Sequence, residues 1–432
     1  MQYIYMHNFR GFSRTLVPLC ATNFLVGENS TGKSSFLTLL QALNSPQLQV
    51  SLELVFGPDS SSFSDIFSAW PTDSDRFTVG SVDITTNPSK VVALSFGLFE
   101  FGNRDGNAKV MRFLHLNSKK DLMVVDFAKT KLRYCSKSWE NEFGSVEEAV
   151  RAFDELLATK HDVVPVPKEV PTWLNSQNTP LPVILPILRD IGKRKPKPDH
   201  DSFRLEMARS DNIAWIAPIR TKPRRTYDGI NVGYSPEGEH VPFVLRKTLR
   251  SKTHSSEFLK RLEEFGSASG LYETLIAHSF GKGDKVPFEL LIKFNGAELN
   301  ISNVGYGVSQ VLPLIVEFLT SEKPRTFVIQ QPEVHLHPRA QAALGGLVYQ
   351  LSHEKRHKFF IETHSDFLID RYRLQMTHNK SPRSTQTLFF ARSRTGNEVH
   401  PIEINAKGQY SMQQPDKFRE FFVRESSRLL DL

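Results

Sequence analysis

The sequence is poor in the features that define secreted and membrane proteins. It has two cysteines in 432 residues, Cys20 and Cys135, which are too few for a disulfide framework and are typical of the reduced cytosol. No apolar run approaches the roughly 20 residues that span a bilayer. The start, MQYIYMHNFRGF, lacks the basic beginning and apolar core of a secretion signal. We therefore expect a cytoplasmic protein that makes no membrane contact.

The excess of positive charge is small and sits in one place. The 54 Lys and Arg against 47 Asp and Glu give a net charge of +7, which is weak evidence for nucleic-acid binding in a chain of this length. Residues 189–225 hold eleven Lys or Arg and five Asp or Glu, so this segment alone carries +6. A proline-rich stretch at 163–187 precedes it and indicates a connector.

Alternating helix and strand patterns predict an α/β fold. From Ser309 onward a helix, the strand Phe327–Gln330, a helix, the strand Phe359–Glu362 and a further helix follow one another, which is typical of a covered, mostly parallel sheet. The middle of the chain is expected to hold antiparallel strands and a helical lobe. Its predicted elements are a helix from Gly32 to about Leu43, strands within 76–128, a helix at 145–159, a helical segment at 256–280 and strands at 286–301.

Residues 27–34, Gly-Glu-Asn-Ser-Thr-Gly-Lys-Ser, match the phosphate-binding pattern G-x-x-x-x-G-K-[ST]. An apolar segment precedes the motif and a helix-like run follows it, which is the context that the motif requires. The glycines let backbone N–H groups face the phosphates at a helix N-terminus. Lys33 would reach the β- and γ-phosphates, and the Ser34 hydroxyl would bind Mg²⁺. The flanking strand and helix argue against a chance match in a Gly/Ser-rich turn.

Five further segments resemble the RecF/SMC-like branch of ABC ATPases and follow the order of that branch. They are Asn8-Phe9-Arg10-Gly11-Phe12, WIAPIRTKPRRTYDG at 215–229, NVGYGVSQVLPLI at 303–315, TFVIQQPEVHLHP at 326–338 and FFIETHSDFLI at 359–369. The second is similar to a segment of compact ATPases of the overcoming-lysogenisation-defect (OLD) type. The resemblance implies an α/β fold, namely an ABC-type ATPase head with an antiparallel β subdomain and a helical lobe. It also implies ATP and Mg²⁺ as cofactors.

The resemblance assigns roles to individual residues. The segment from Gly305 to Gln310 would be the signature, which in ABC proteins contacts the nucleotide bound to the opposite subunit. ATP would then join two heads, with Lys33 of one facing Ser309 of the other. Taken alone, this segment also fits a glycine-rich helix cap. His335 and His337 would lie in the D-loop, since two histidines without a third ligand do not indicate zinc. The expected nucleotide-binding residues are Gly27, Asn29, Ser30, Gly32, Lys33, Ser34, Ser35, Gly305, Gly307, Ser309 and Gln310.

The predicted Walker B strand ends without the acids that the site needs. A carboxylate should hold the Mg²⁺ shell and a glutamate should polarise water, but the chain has Gln330-Gln331-Pro332-Glu333. Glutamine can orient a water molecule, but it cannot accept a proton as a base. The expected catalytic residues are Gln331, Glu333 and His364, the last of which can donate to the γ-phosphate or orient water. The expected metal ligands are Ser34 and Gln330.

Three interpretations of the two glutamines stay open. Gln331 positions water and hydrolysis is slow, or Glu333 or Glu362 supplies the missing carboxylate, or hydrolysis is nearly lost and ATP holds a dimer together as a structural ligand. We favour slow hydrolysis with ATP-dependent assembly into a homodimer or a higher homo-oligomer.

The basic side chains after the apolar run 213–219 have three interpretations. They are Arg220, Lys222, Arg224 and Arg225. They could contact nucleic-acid phosphates or a partner's acidic face, they could form a solvated loop with internal salt bridges, or one arginine could buttress the nucleotide or the lobe interface.

The resemblance implies a division into an N-terminal half-head with Walker A (1–45), a β subdomain, helical lobe and basic connector (46–300), a second half-head (301–375) and a small C-terminal domain (376–432). It suggests a nucleotide-dependent sensor in prokaryotic anti-phage defence. Because about sixty residues follow the His364 helix and carry no acidic D-x-D cluster, we expect a separate nuclease or toxin as effector. The alternatives are a RecF-like DNA-binding repair ATPase and an ATP-assembled scaffold with little hydrolysis.

Overall fold

The computed structural model of the chain shows two compact units. The residues that it describes are 1–45, 48, 52, 54, 56, 62–67, 75–87, 90–117, 120–127, 132–139, 143–165 without 160, 213–228, 233–251, 255–283, 285–378, 383–412 and 414–420. The first unit comprises Met1–Leu19, Glu28–Asp211 and Phe390–Val399, and the second comprises Cys20–Gly27, Asn212–Phe389 and His400–Leu432. The basic segment up to residue 212 and the prolines of 166–187 lie outside the described residues.

The helices and strands of the described residues follow one another along the chain in this order: β1 (Gln2–His7), β2 (Thr15–Leu19), β3 (Thr22–Gly27), α1 (Lys33–Leu43), α2 (Phe63–Ile66), β4 (Arg76–Asn87), β5 (Lys90–Arg104), β6 (Asn107–Leu116), β7 (Asp121–Phe127), β8 (Leu132–Ser138), α3 (Val146–Ala158), β9 (Val164–Pro165), β10 (Ile213–Ile216), α4 (Val241–Arg250), α5 (Ser255–Ser269), β11 (Thr274–Ser279), β12 (Phe288–Phe294), β13 (Ala297–Asn300), the 3₁₀ turn Ile301–Asn303, α6 (Tyr306–Thr320), β14 (Thr326–Gln330), α7 (Pro338–Glu354), β15 (Lys358–Glu362), α8 (Asp366–Met376), β16 (Thr385–Arg392) and β17 (Asn397–Ile404).

The first unit is built on an eight-stranded sheet with the order β2-β1-β4-β5-β6-β7-β8-β9. All of its neighbouring strands pair antiparallel. Helix α3 packs on this sheet, and it starts where the Ser145 hydroxyl accepts the N–H of Glu148 at 3.3 Å. Its Phe153 meets the rings of Tyr5 and Phe96 edge-on, at centroid distances of 4.7 and 5.2 Å. These rings lie in the buried apolar core of the unit.

The second unit contains a six-stranded sheet with the order β10-β14-β15-β3-β16-β17. Strands β10, β14, β15 and β3 run parallel, and β3 is buried along its whole length, as expected for a parallel strand that is covered on both faces. Residues 390–399, which include the ends of β16 and β17, are counted with the first unit. The fold class predicted from the sequence, α/β with antiparallel sheets and helices, is confirmed.

Strands β11, β12 and β13 form a separate three-stranded antiparallel sheet in the second unit. The sequence predicted a continuous helical segment at 256–280, and this is wrong beyond Ser269. Gly270 has a φ of 72°, and the N–H groups of Gly270 and Leu271 both donate to the carbonyl of Gly266. A left-handed glycine of this kind ends a helix, so the chain continues as β11. In the described part of the chain, no helix is long and apolar enough to cross a membrane.

Candidate functional site

The phosphate-binding motif joins a buried strand to a helix. Strand β3 ends at Gly27 and α1 begins at Lys33. Between them φ is positive at Gly27 (139°), Ser30 (62°) and Gly32 (98°), and backbone turns of this kind gather N–H groups into an anion-binding concavity. The Lys33 ammonium donates to the carbonyl of Glu28 at 2.7 Å. The loop therefore already has a shape suited to phosphate.

The other predicted residues of the motif lie at the start of α1 and on the loop. Ser34 and Ser35 are in the first turn of the helix, and Ser34 is exposed, as are Asn29 and Ser30 on the loop. Gly32 packs on the ring of Phe12, because a Cβ built on Gly32 would lie only 2.4 Å from the Phe12 Cζ atom. The Asn8–Phe12 segment and the phosphate loop are thus in direct contact.

Two residues near the phosphate loop escaped the sequence analysis. Arg392 donates through Nη2 to the carbonyl of Ser30, and Asn397 donates through Nδ2 to the carbonyl of Arg10 at 3.0 Å. The two pairs are 362 and 387 residues apart in the chain. Because no local pattern marks such distant pairs, the sequence offered no signal for either residue.

The carboxyl edge of the parallel sheet brings three predicted motifs together. Gln330 of β14 pairs with Glu362 of β15, and Glu362 in turn pairs with Leu25 of β3, two residues before Gly27. Neighbouring strands lie about 4.8 Å apart, and ligands of α/β sheets bind outside the carboxyl ends of the strands. The glutamine pair, the ETHS segment and the first glycine of the phosphate loop therefore share one edge.

Both glutamines of the QQPE segment contact Glu362. The Gln330 amide donates through Nε2 to Oε2 of Glu362 at 3.3 Å. Gln331 has a φ of 43°, so it turns the chain out of the strand, and its backbone N–H donates to the Glu362 carbonyl at 2.8 Å. Glu362 is only 5% exposed.

Glu333 holds the segment that carries the predicted switch histidine. Its Oε2 accepts the Thr363 hydroxyl at 2.8 Å, and its Oε1 accepts the backbone N–H of His364 at 2.7 Å. The His364 residue itself is exposed. The carboxylate of Glu333 therefore fixes the backbone from which the imidazole projects.

Arg220 is an internal residue. It is 3% exposed, and its Nη1 and Nη2 donate to the carbonyls of Gln310 and Gln330, each at 3.2 Å. Burial lowers its pKa to about 10, and Glu333 partly opposes that shift, so the guanidinium stays charged at neutral pH. Of the three interpretations of the basic segment, these contacts favour an internal buttress at Arg220, because the side chain ties α6 to β14.

The other three basic residues of that segment, Lys222, Arg224 and Arg225, are exposed. The backbone N–H of Arg224 donates to the hydroxyl of Tyr227 at 3.0 Å, and the carbonyl of Arg225 accepts the Asn300 amide at 3.0 Å. Lys222 and Arg224 also line a cavity next to the start of α6. Their predicted contacts with phosphates or a partner stay a prediction.

The signature segment opens α6. Gly305 and Tyr306 are exposed, whereas Ser309 and Gln310 are 6% and 5% exposed. The Ser309 hydroxyl donates to the Tyr306 carbonyl at 2.9 Å, and the Gln310 amide donates to the Arg220 carbonyl at 3.4 Å. The exposed part of the segment is therefore its glycine end, while the two polar side chains make contacts within the chain.

The predicted D-loop lies against this glycine end. A Cβ on Gly307 would lie 2.9 Å from the carbonyl oxygen of His335, and the Tyr306 and His335 rings are 5.7 Å apart. His337 caps α7, since its Nδ1 accepts the N–H of Ala340 at 3.4 Å. The two histidines thus have distinct contacts, one with the signature and one with a helix start.

One family profile matches part of the chain. The sequence profile of a family described as "AAA domain, putative AbiEii toxin, Type IV TA system" matches residues 195–370. No curated protein matches the chain.

Similar solved structures are heads of SMC proteins. One is an SMC head bound to the C-winged helix domain of ScpA, with 12% identity over 93% of this chain and 97% of that chain and a TM-score of 0.45. Another is the SMC head domain from Thermotoga maritima, with 12% identity over 93% and 98% and a TM-score of 0.37. A third, with an extended coiled coil and bound to the C-terminal domain of ScpA, derives from Pyrococcus furiosus, with 10% identity over 100% and 99% and a TM-score of 0.41. These scores are low, so the fold rests on the strand order given above.

Proposed function

We propose that the chain is an ATP-binding, slowly hydrolysing ABC-type ATPase that acts as a nucleotide-dependent switch. One observation carries the proposal. Strand β3 ends with the first glycine of the pattern G-x-x-x-x-G-K-S at the same sheet edge where β14 and β15 end in the QQPE and ETHS segments, and left-handed residues follow in the loop. The family profile that matches residues 195–370 is that of an AAA domain, which supports the same class.

The backbone N–H groups of 27–35 would hold the phosphates of ATP, with Lys33 at the β- and γ-phosphates and the Ser34 hydroxyl toward Mg²⁺. When bound, Mg²⁺ neutralises charge on the phosphates. His364, on a backbone fixed by Glu333, would donate to the γ-phosphate or orient water. Gln331 would position the attacking water, but as an amide it cannot take the proton, which is the reason to expect slow turnover.

Assembly would follow from the signature segment. Its exposed glycine end, Gly305 to Gly307, would face the nucleotide of a second subunit, so that ATP promotes a homodimer. Ser309 and Gln310 are buried in this conformation, so their predicted part in that contact requires α6 to shift on assembly.

The biological role that we propose is a cytoplasmic sensor in a prokaryotic anti-phage defence system that works with a separate nuclease or toxin. The resemblance to OLD-type ATPases supports it, as does the description of the matching family, which refers to a putative toxin of a type IV toxin–antitoxin system. The burial of Arg220 removes one of the four basic residues that favoured a RecF-like DNA-binding role, so we do not advance that alternative. Co-purification with the products of neighbouring genes, with and without ATP, tests the partner.

The central test is ATP binding and turnover. Purified wild-type protein should bind a fluorescent ATP analogue, and Lys33→Ala should abolish the binding. Single-turnover hydrolysis should be slow, and Gln331→Glu should speed it if that side chain faces the water. Equal ATP affinity in wild type and Lys33→Ala would contradict the nucleotide site, and fast wild-type hydrolysis would contradict the role given to the glutamines.

A further inference from the structure

The carboxylate of Glu362 lies on the strand next to the phosphate-loop strand. Glu362 pairs directly with Leu25 of β3, whereas β14 and its Gln330 are separated from β3 by β15. At about 4.8 Å between strands, the acid at position 362 is one strand nearer to β3, which ends at Gly27, than the amide at position 330. The acid that β14 lacks is thus present on its neighbour, at the same level of the sheet.

The pairing of Glu362 with Gln330 explains why the neighbour is an amide. The two side chains are joined by the Gln330 Nε2 to Glu362 Oε2 contact of 3.3 Å, and Glu362 is 5% exposed. Two carboxylates at that distance in a buried site would repel each other, and one of them would take up a proton. The glutamine instead donates a hydrogen bond, which orients the carboxylate.

The other nearby acid, Glu333, holds the backbone that carries His364. Both carboxylate oxygens of Glu333 accept hydrogen bonds from the segment Thr363–His364. Turning Glu333 toward a metal would release the backbone of His364. Among the acids of QQPE and ETHS, Glu362 is therefore the better candidate for a metal shell.

The donor set suits Mg²⁺. Carboxylate and amide oxygens are the hard donors that this ion prefers, and in nucleotide sites it is held by one or two protein groups together with phosphates and water. Such a site needs no cluster of several protein ligands, and the described residues contain no group of three or more His, Cys, Asp or Glu side chains that could hold a metal by themselves.

We propose that Glu362 supplies the carboxylate of the magnesium site and that Gln330 orients it, so that the acid of this site has moved from β14 to β15. The inference rests on the proposed function, because it concerns the same nucleotide site. It predicts a charge-dependent contribution of Glu362 to metal affinity that neither glutamine makes.

The experiment measures Mn²⁺ bound to the ATP-loaded protein by electron paramagnetic resonance, and the affinity of a fluorescent ATP analogue in EDTA. Glu362→Gln should lower the Mn²⁺ affinity about 10–100-fold, as loss of an orienting or shell group does at other metal sites, while ATP binding in EDTA stays unchanged. Glu298→Gln removes one exposed acid from β13 and should change neither quantity. The exchange variant Gln330→Glu/Glu362→Gln keeps one acid in the pair but places it on β14, one strand farther from β3, and its Mn²⁺ affinity should stay well below that of the wild type.

The outcomes separate the two levels of the proposal. If ATP binds in a Lys33-dependent manner and Glu362→Gln keeps the wild-type Mn²⁺ affinity, the assignment of Glu362 is wrong and the proposed function stands. If ATP does not bind to the wild type at all, the proposed function fails. If Glu362→Gln does not fold, the folded exchange variant decides, since wild-type Mn²⁺ affinity with the acid at position 330 would overturn the assignment to Glu362.

Discussion

Truncation of Arg220 should destabilise the second unit strongly, although the residue lies in a segment that looks like an exposed basic patch. Arg220→Ala leaves the carbonyls of Gln310 and Gln330 without their guanidinium donors. An unsatisfied buried acceptor costs about 1–3 kcal/mol. Removal of the guanidinium regains part of this free energy, because the buried Arg220 Nε has no hydrogen-bond partner among the described residues and its burial is unfavourable. We expect a net loss of about 3 kcal/mol in the free energy of unfolding.

Calorimetry measures this loss. For a unit of about 200 residues, 3 kcal/mol lowers the melting temperature by roughly 6–12 °C. Arg220→Lys should lie between wild type and alanine, because an ammonium lacks the planar fork that reaches two carbonyls. The matched control is Arg224→Ala, an exposed neighbour, which should stay within about 0.5 kcal/mol.

A specific result would refute this reasoning. If Arg220→Ala melts like Arg224→Ala and instead weakens salt-dependent binding to duplex DNA, then Arg220 acts at the surface after all. Phosphate contacts would show as a reduced dependence of the binding constant on salt, by roughly 0.9 per lost contact.

Three further predictions concern single side chains. Gly345→Ala should destabilise the α7–α8 pair by about 1–3 kcal/mol in denaturant titration, because its Cβ would lie 2.1 Å from a carbonyl oxygen of α8. The control is Gly346→Ala, which should be neutral or stabilising because the nearest atom to its Cβ is 3.7 Å away. Gly32→Ala, whose φ is 98°, should cost about 1–3 kcal/mol and abolish ATP binding. Thr363→Val removes the hydroxyl donor to Glu333 and should lower ATP turnover about tenfold at unchanged ATP affinity.

Elements defined by short-range chemistry could be predicted from the sequence. The strand–loop–helix around residues 27–34, the helix that starts at Ser145 and the alternation after Ser309 all depend on neighbours within a few positions, and each is present in the structure. The helical segment at 256–280 failed because its apolar pattern runs on past Gly270. The helix ends there because Gly270 is left-handed and because the next residues pair, as β11, with the later strand β12.

Burial of single polar residues could not be predicted in this way. In the segment PIRTKPRR the four basic residues look alike, and a local pattern gives no reason to separate the first from the rest. Arg220 differs from the other three because it donates to two carbonyls that lie 90 and 110 residues away in the sequence. Only after α6 and β14 are placed side by side does Arg220 become an internal connection.

The same limit applies to the acid that we propose for the metal site, and there it changes the chemical interpretation. In the sequence, QQPE indicates a damaged Walker B segment, and Glu362 is one of two unplaced acids. Parallel pairing of β14 with β15 puts Gln330 beside Glu362, so the edge keeps one buried carboxyl group and an amide that donates to it. A motif records which residue types follow one another along a strand, whereas a cation responds to the charges that face it across strands. On our proposal, the position of Glu362 explains the glutamine at 330, which then does not indicate loss of the nucleotide site.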